Sequence, residues 1–431
     1  MSSSVATPDA QQHLLRLPRL RPATFYGVAV AALLVWLALY GRGGLLLEPT
    51  TYVELVLLAI GTVGGIVAGL SAGPRRWWGV GTLALFGGFA ALAAVSAIWA
   101  FEPSEAWLEA NRLVAFAAVF AAGIALSRST GEWWSATLVA IAAAAFAVSV
   151  WALLTKIFPE TFSPDEIYSR LRQPYEYWNS VGLTAALGIV ACVWLGARRD
   201  GRSWVSALAF PAIGLMTTAM MLAYSRGSLV ALAVGLGAWF VLVPLRLRSA
   251  SIVLVGISGG LLVSVWAFAQ DTLTTDRVPA VTRATSGWQL GLLLLAVMTL
   301  QLAAGLYLRF RSDVSPLGAV ARRRVGAALL IALALVPVAI AGKMALSDKG
   351  FGDSVSSAWS SLTDPTDGSR VTNDPSRLTK VGSVRAKYWQ EAFKIFDAHP
   401  WKGVGAGGYV VARTKYRTSN LTVRHAHGFV V

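Results

Sequence analysis

Charge is scarce in this chain: 14% of its 431 residues are Asp, Glu, Lys or Arg, against 55% hydrophobic. Cysteine is scarcer still. Cys192 is the only one and lies inside an apolar run, which excludes disulfides and cysteine-built metal sites. A basic domain is lacking as well. The net charge is +15, but the basic residues are scattered over short loops, so topology explains them and nucleic acid is not expected as a partner. No cleavable leader stands out: residues 1–22 are polar and basic, and the apolar block that follows has no small-residue cleavage site, so it reads as a retained anchor.

What the chain has in abundance is apolar blocks of about 20 residues, the length that crosses a bilayer as helix. The fold class expected is all-α, a polytopic transmembrane helix bundle. Eleven spans can be placed, at about 25–41, 52–71, 79–100, 110–127, 133–154, 179–197, 204–222, 225–243, 251–269, 288–308 and 326–346. A twelfth starts near Gly428 and is cut off by the chain end. The organisation that follows is a cytoplasmic tail (1–24), a bundle (25–346), a large, partly helical extracytoplasmic loop (347–427) and the first residues of a final span (428–431). With the N-terminus inside, sixteen basic residues between Arg16 and Arg324 fall in cytoplasmic segments. Seven fall in the short outer loops: Arg42, Lys156, Arg170, Arg172, Arg226, Arg277 and Arg283. This bias fixes the orientation. No sizeable cytoplasmic domain is left to bind ATP or a nucleotide sugar, so any substrate must arrive activated and already outside. Gly61, Gly65 and Gly69 fall four apart on one helix face and are expected to admit a neighbouring helix.

Chemistry-bearing residues concentrate outside the membrane. Arg226, in AYSRGSLVAL, sits where two spans leave almost no loop; it is either an anchor to lipid headgroups or a ligand for an anion. The loop SRLRQPYEYWNSVG joins Arg170, Arg172 and three aromatics to Asn179. Outward arginines suit a pyrophosphate, whose oxygens match their planar donor forks, or else pair with Asp165, Glu166 and Glu176. From Val384 an amphipathic helix is expected, with Tyr388, Trp389, Ala392, Phe393 and Phe396 at helical spacing and Arg385 one turn from Trp389. It should stop near His399-Pro400. Gly403, Gly405 and Gly408 satisfy GxGxxG, but with no βαβ unit around them they mark a plain turn or an amide nest rather than a dinucleotide site. His425 and His427 are the only paired histidines. Zinc fits poorly, with no further ligands at usual spacing; a structural imidazole or a general base remain.

The ordered set of SRGS after several spans, RxxxW opening an amphipathic helix, HPWxGVGAGGY and then HAH before a span resembles the O-antigen ligase and O-antigen polymerase superfamily, relatives of the C-type glycosyltransferases. The resemblance implies an inverting, metal-independent enzyme of the bacterial cytoplasmic membrane, without cofactor. It would transfer a glycan from undecaprenyl pyrophosphate to the hydroxyl of a glycan, lipid or other acceptor on the outer face. It carries the family's catalytic arginines onto Arg226 and Arg385 and its histidine onto His427. Arg170, Arg172, Asn179, Trp389 and His425 are then expected to bind substrate. The family's HxHN has its asparagine replaced by Gly428 here, and the family continues through another span. A polymerase of lipid-linked repeat units is the rival within the class; a lipid-linked glycan transporter and an envelope-assembly scaffold are rivals outside it.

Overall fold

The computed structural model describes residues 22–44, 46–70, 78–129, 133–198, 203–243, 246–314, 318–328, 331, 342, 346, 350–364, 373–379, 385–417, 423, 425 and 426. Apolar blocks this long, low in proline, satisfy their backbone groups within one segment only as helix. The chain answers with α1 (Pro22–Gly41), α2 (Leu47–Leu70), α3 (Val80–Ser96), α4 (Pro103–Ser129) and α5 (Trp134–Ile157). The short α6 (Pro159–Phe162) leads to α7 (Trp178–Ala197), α8 (Ser203–Ala207), α9 (Ala209–Leu222), α10 (Arg226–Leu242) and α11 (Arg246–Phe268). After α12 (Asp271–Thr274) come the long α13 (Ala280–Val314), α14 (Gly350–Thr363), α15 (Arg385–Ala398) and α16 (Tyr409–Ala412).

Among the described residues, eight of the apolar segments are long enough by themselves to cross a membrane; α3 and α10 are shorter apolar helices. The protein is a polytopic membrane helix bundle. Ten of the eleven expected spans coincide with these helices, while most of 326–346 and the start of a span at Gly428 lie outside the described residues.

The core forms around α9, which is buried on nearly every side among α5, α7, α11 and α13. Phe210, Ile213, Met216 and Met220 of α9 meet Ile189, Ile252 and Leu290 in one continuous cluster. Dispersion and close fit hold such helices together in lipid, where no hydrophobic drive separates Leu from solvent. Small residues therefore occupy the crossings. A Cβ on Gly61 would come within 2.5 Å of Ala118, so α2 rides directly on α4 there. Of the expected glycine face, only Gly61 behaves in this way: Gly65 and Gly69 meet nothing, and Gly64 faces Ala122 instead. At 100° per residue, α4 contacts a face running through Gly61 and Gly64 rather than along the strict four-residue row.

Loops that the alternation of spans assigns to one side gather at one end of the bundle. The backbone of Gly43 lies against Tyr175, segment 97–102 against 402–406, and segment 163–177 against 223–224, Asp276 and Asn373.

Candidate functional site

Arg226 is held by the way α9 hands over to α10. Only Ala223, Tyr224 and Ser225 separate the two helices, and Tyr224 takes a left-handed φ of 47° to make the reversal. Ser225 caps α10 by accepting a hydrogen bond from the Ser228 amide at 3.4 Å, the role for which serine is favoured. Its hydroxyl donates to Asn179 Oδ1 at 3.0 Å, and Asn179 Nδ2 donates to the Tyr177 hydroxyl at 2.6 Å. Gly182 lets this happen: a Cβ there would lie 2.6 Å from Ser228 Oγ. Asn179 thus ties the start of α7 to the start of α10 and leaves half-buried Arg226 as the first residue of α10, at the positive end of its dipole.

The two arginines of the 163–177 loop take different posts. Arg170 is only 2% exposed. Its Nε and Nη2 donate to the Ala223 carbonyl at 3.1 and 3.0 Å, Nη2 also reaches the Tyr224 carbonyl at 3.2 Å, and Cζ stacks 4.0 Å above Trp178. A cation on the last carbonyls of α9 closes that helix favourably. Arg172 is paired with Glu166 and Glu176, both at 2.8 Å, and lies over the Tyr168 ring. Of the two readings the sequence left open for this loop, the ion-paired one describes Arg172.

A third stretch joins them. The Ser169 amide donates to Asp276 Oδ1 at 2.7 Å, Asn373 Nδ2 donates to Asp276 Oδ2 at 3.0 Å, and the Ser169 hydroxyl donates to the Asn373 carbonyl. Asp374 caps the 3-10 turn Pro375–Leu378 through the Ser376 amide at 2.8 Å. This brings in Arg377, which sequence reasoning missed. It stands in NDPSRLT, a polar stretch with no periodicity, and only the pairing of Asn373 with Ser169 and Asp276 signals its position.

The charges of these groups act on one another. Arg385 repels Arg226; Arg226 and Arg385 both repel Arg377; Arg377 and Arg226 repel Arg170. Burial first, and then this crowding of like charge, pushes the proton affinities of Arg377 and Arg170 below the ordinary guanidinium range. Four guanidiniums from four separate stretches therefore share one region, and an anion placed among them would lower the energy of them all.

Arg385 itself is exposed and begins α15, whose buried face is Ala386, Tyr388, Glu391, Ala392 and Ile395. The helix ends at Ala398, just before His399-Pro400. Phe393 and Phe396, expected on the apolar face, are instead more than half exposed. The inner position goes to Glu391, which forms a buried ion pair with Arg413 and accepts from the Tyr409 hydroxyl at 3.5 Å. Burial and then the nearby Glu391 carboxylate push the Tyr409 hydroxyl up to about 12. Trp389, one turn from Arg385, has its indole N–H buried with no acceptor among the described residues.

The glycine turn serves packing. Gly405 and Gly407 take φ of 85° and 69°; Gly405 lies on the backbone of Ala100, and Gly407 lies against Glu105. The Ala406 amide is used by Ser96 Oγ at 3.0 Å, and the Phe101 amide bonds the Val404 carbonyl at 3.0 Å. His399 stacks edge-on against Phe101. His425 is exposed, and His427 lies outside the described residues.

No protein-family model, curated protein or solved structure matches this chain.

Proposed function

We propose that the protein is a glycosyltransferase of the O-antigen ligase type, moving a glycan from undecaprenyl pyrophosphate to an acceptor hydroxyl at the extracytoplasmic face. The observation that carries this reading is the nearness of Arg226 and Arg385, which stand 159 positions apart in the numbering (385 minus 226) yet lie close enough for their charges to act on each other. Those two are the arginines to which the motif resemblance gave the same task.

The chemistry asks for little more. The acceptor oxygen forms a bond to the anomeric carbon on the face opposite the leaving group. The bond from that carbon to the pyrophosphate oxygen breaks, and its electron pair leaves with the polyprenyl pyrophosphate. The acceptor's proton goes to a base, the role the resemblance assigns to His427. Arg226 and Arg385 stabilise the charge that grows on the departing oxygen, where fixed donors in a partly desolvated site act most strongly. The N-terminus of α10 adds its dipole. The indole N–H of Trp389, buried and without an acceptor among the described residues, is a further donor for substrate.

The test is turnover. Purified protein in lipid nanodiscs, given a polyprenyl-pyrophosphate glycan and a panel of hydroxyl acceptors, should release polyprenyl pyrophosphate only when an acceptor is present. Arg385→Ala and His427→Ala should each lose this release while inserting and accumulating normally. Release without transfer, or none with any acceptor, would contradict the reading. A product that grows by whole repeat units on the lipid carrier would make the enzyme a polymerase; passage of intact donor across a bilayer would make it a transporter.

A further inference from the structure

Helix α15 has three different faces. One meets the protein: the Tyr409 hydroxyl donates to the Tyr388 carbonyl at 3.2 Å, Glu391 pairs with Arg413, and Ile395 clusters with Val404 and Ala412. A second is polar, with Lys387, Gln390, Lys394 and Asp397. The third row runs through Arg385, half-buried Trp389, Phe393 and Phe396, at steps of four, four and three residues, and so keeps to one side of the helix. Phe393 and Phe396 are 53% and 57% exposed, and Trp401, just past the helix, is fully open. A helix with water on all its free sides has no use for a second apolar row.

The turn that follows fixes where this row lies. Ser96, the last residue of α3, accepts from the Ala406 amide at 3.0 Å, the Trp99 indole donates to the Lys402 carbonyl at 2.8 Å, the Phe101 amide donates to the Val404 carbonyl at 3.0 Å, and His399 stacks on Phe101. Segment 97–102 connects two apolar helices, α3 and α4, so it lies at the bilayer surface, and the end of α15 lies there with it. The free side of α3 leads to the same place: Leu92 and Val95 are more than half exposed, and Ile98, next to Trp99, is more exposed still. Trp107, near the start of α4, is exposed as well. The aromatics of α15 therefore continue a surface that membrane lipid already covers, and clustered exposed aromatics of this kind mark an interaction face.

We infer that α15 is an interfacial helix whose partner is the phospholipid leaflet adjoining segment 97–102. Phe393 and Phe396 enter the boundary of headgroups and acyl chains, and the polar face looks to water. Trp401 and Lys402 stand at headgroup level, where water still reaches them. Arg385 opens the same row as the two phenylalanines, so its guanidinium comes to the depth of lipid-borne phosphate. None of this requires the protein to transfer a glycan.

The experiment uses the full-length protein in phospholipid nanodiscs with one nitroxide label, at Phe393→Cys, Phe396→Cys, Lys394→Cys or Trp401→Cys; native Cys192 is buried. Spin relaxation by oxygen, which concentrates in lipid, is compared with relaxation by a nickel chelate, which stays in water. The ratio of oxygen to nickel access should be several-fold higher at 393 and 396 than at 394, and the label at 401 should be open to both. Ratios at 393 and 396 no higher than at 394 would overturn the assignment, since water then bathes the row. Labels at 393 and 396 closed to both reagents would overturn it too, since protein then covers the row. Because two of these labels replace the aromatics themselves, a second measurement uses wild type with a phospholipid carrying a diazirine near the carbonyl end of its acyl chain. Photoadducts should appear within residues 393–401 as well as on the membrane helices; adducts on the membrane helices alone would contradict an interfacial α15.

Discussion

Arginine at position 226 offers something lysine does not: a planar fork whose parallel N–H groups meet two phosphate oxygens at once. An anchor to lipid headgroups needs only the charge. Arg226→Lys should therefore reduce glycan transfer by about tenfold or more if the residue grips pyrophosphate. An unchanged turnover number would return Arg226 to the headgroup role. Arg172 makes the contrast. Its guanidinium is satisfied by Glu166 and Glu176. Arg172→Ala should cost about 1 kcal/mol or less, seen as a small fall in melting temperature, because the pairs are partly exposed. Transfer should stay within a few-fold of wild type, and a loss as deep as that of Arg385→Ala would show Arg172 reaching substrate. Which arginine pairs with the acids and which closes the end of α9 was not legible in SRLRQPYEYWNSVG. Both lie near the same acids in the chain, and the choice is made by the Ala223 and Tyr224 carbonyls, some fifty residues on.

Helix α15 shows what amphipathic spacing reports and what it misses. Its existence, a start at about Val384 and an end near His399-Pro400 could be read from the pattern, since Tyr388, Ala392 and the proline act locally; the described helix runs Arg385–Ala398. The face it buries could not. Glu391 takes an inner position because Arg413, two segments away, neutralises it, and Phe393 and Phe396 turn outward in exchange. Removing one partner of such a pair leaves a charge buried without compensation. Arg413→Ala should destabilise the α15–α16 unit by ~3–5 kcal/mol, so that limited proteolysis cuts within residues 385–417 while the membrane helices stay protected. Resistance equal to wild type would mean that the pair is replaceable. The turn that follows adds a second check. Gly405 has a positive φ and no room for a Cβ against Ala100. Gly405→Val, a β-branched side chain in the left-handed region, should loosen the same unit without touching an arginine. Full activity and full protease resistance in that variant would argue against the docking of the turn on segment 97–102.

The molecule as a whole was the most legible part. Hydropathy and length locate helices because lipid leaves the backbone no other way to satisfy itself, and ten expected spans coincide with described helices. Which helix sits in the middle was not legible. The hydropathies of Trp204–Leu222, the segment that contains α9, and of the exposed segment Leu47–Val67 of α2 are alike, at 1.8 and 1.7, and only the packed structure separates them. Sidedness can be tested because the sole native cysteine, Cys192, is buried. A cysteine replacing Trp401, which is 97% exposed, should react with a membrane-impermeant maleimide in intact spheroplasts. One replacing Arg311 should react only after permeabilisation, and the reverse pattern would invert the topology. The convergence of distant arginines into one site that the proposed function requires would be a property of the whole assembly, and a double-variant cycle on turnover reads it out. Arg226→Lys, Arg385→Ala and their combination are compared for glycan transfer. Residues that grip one pyrophosphate as a unit give a double variant little worse than the poorer single one. Losses that multiply as if the two were independent would mean that Arg226 and Arg385 serve separate places.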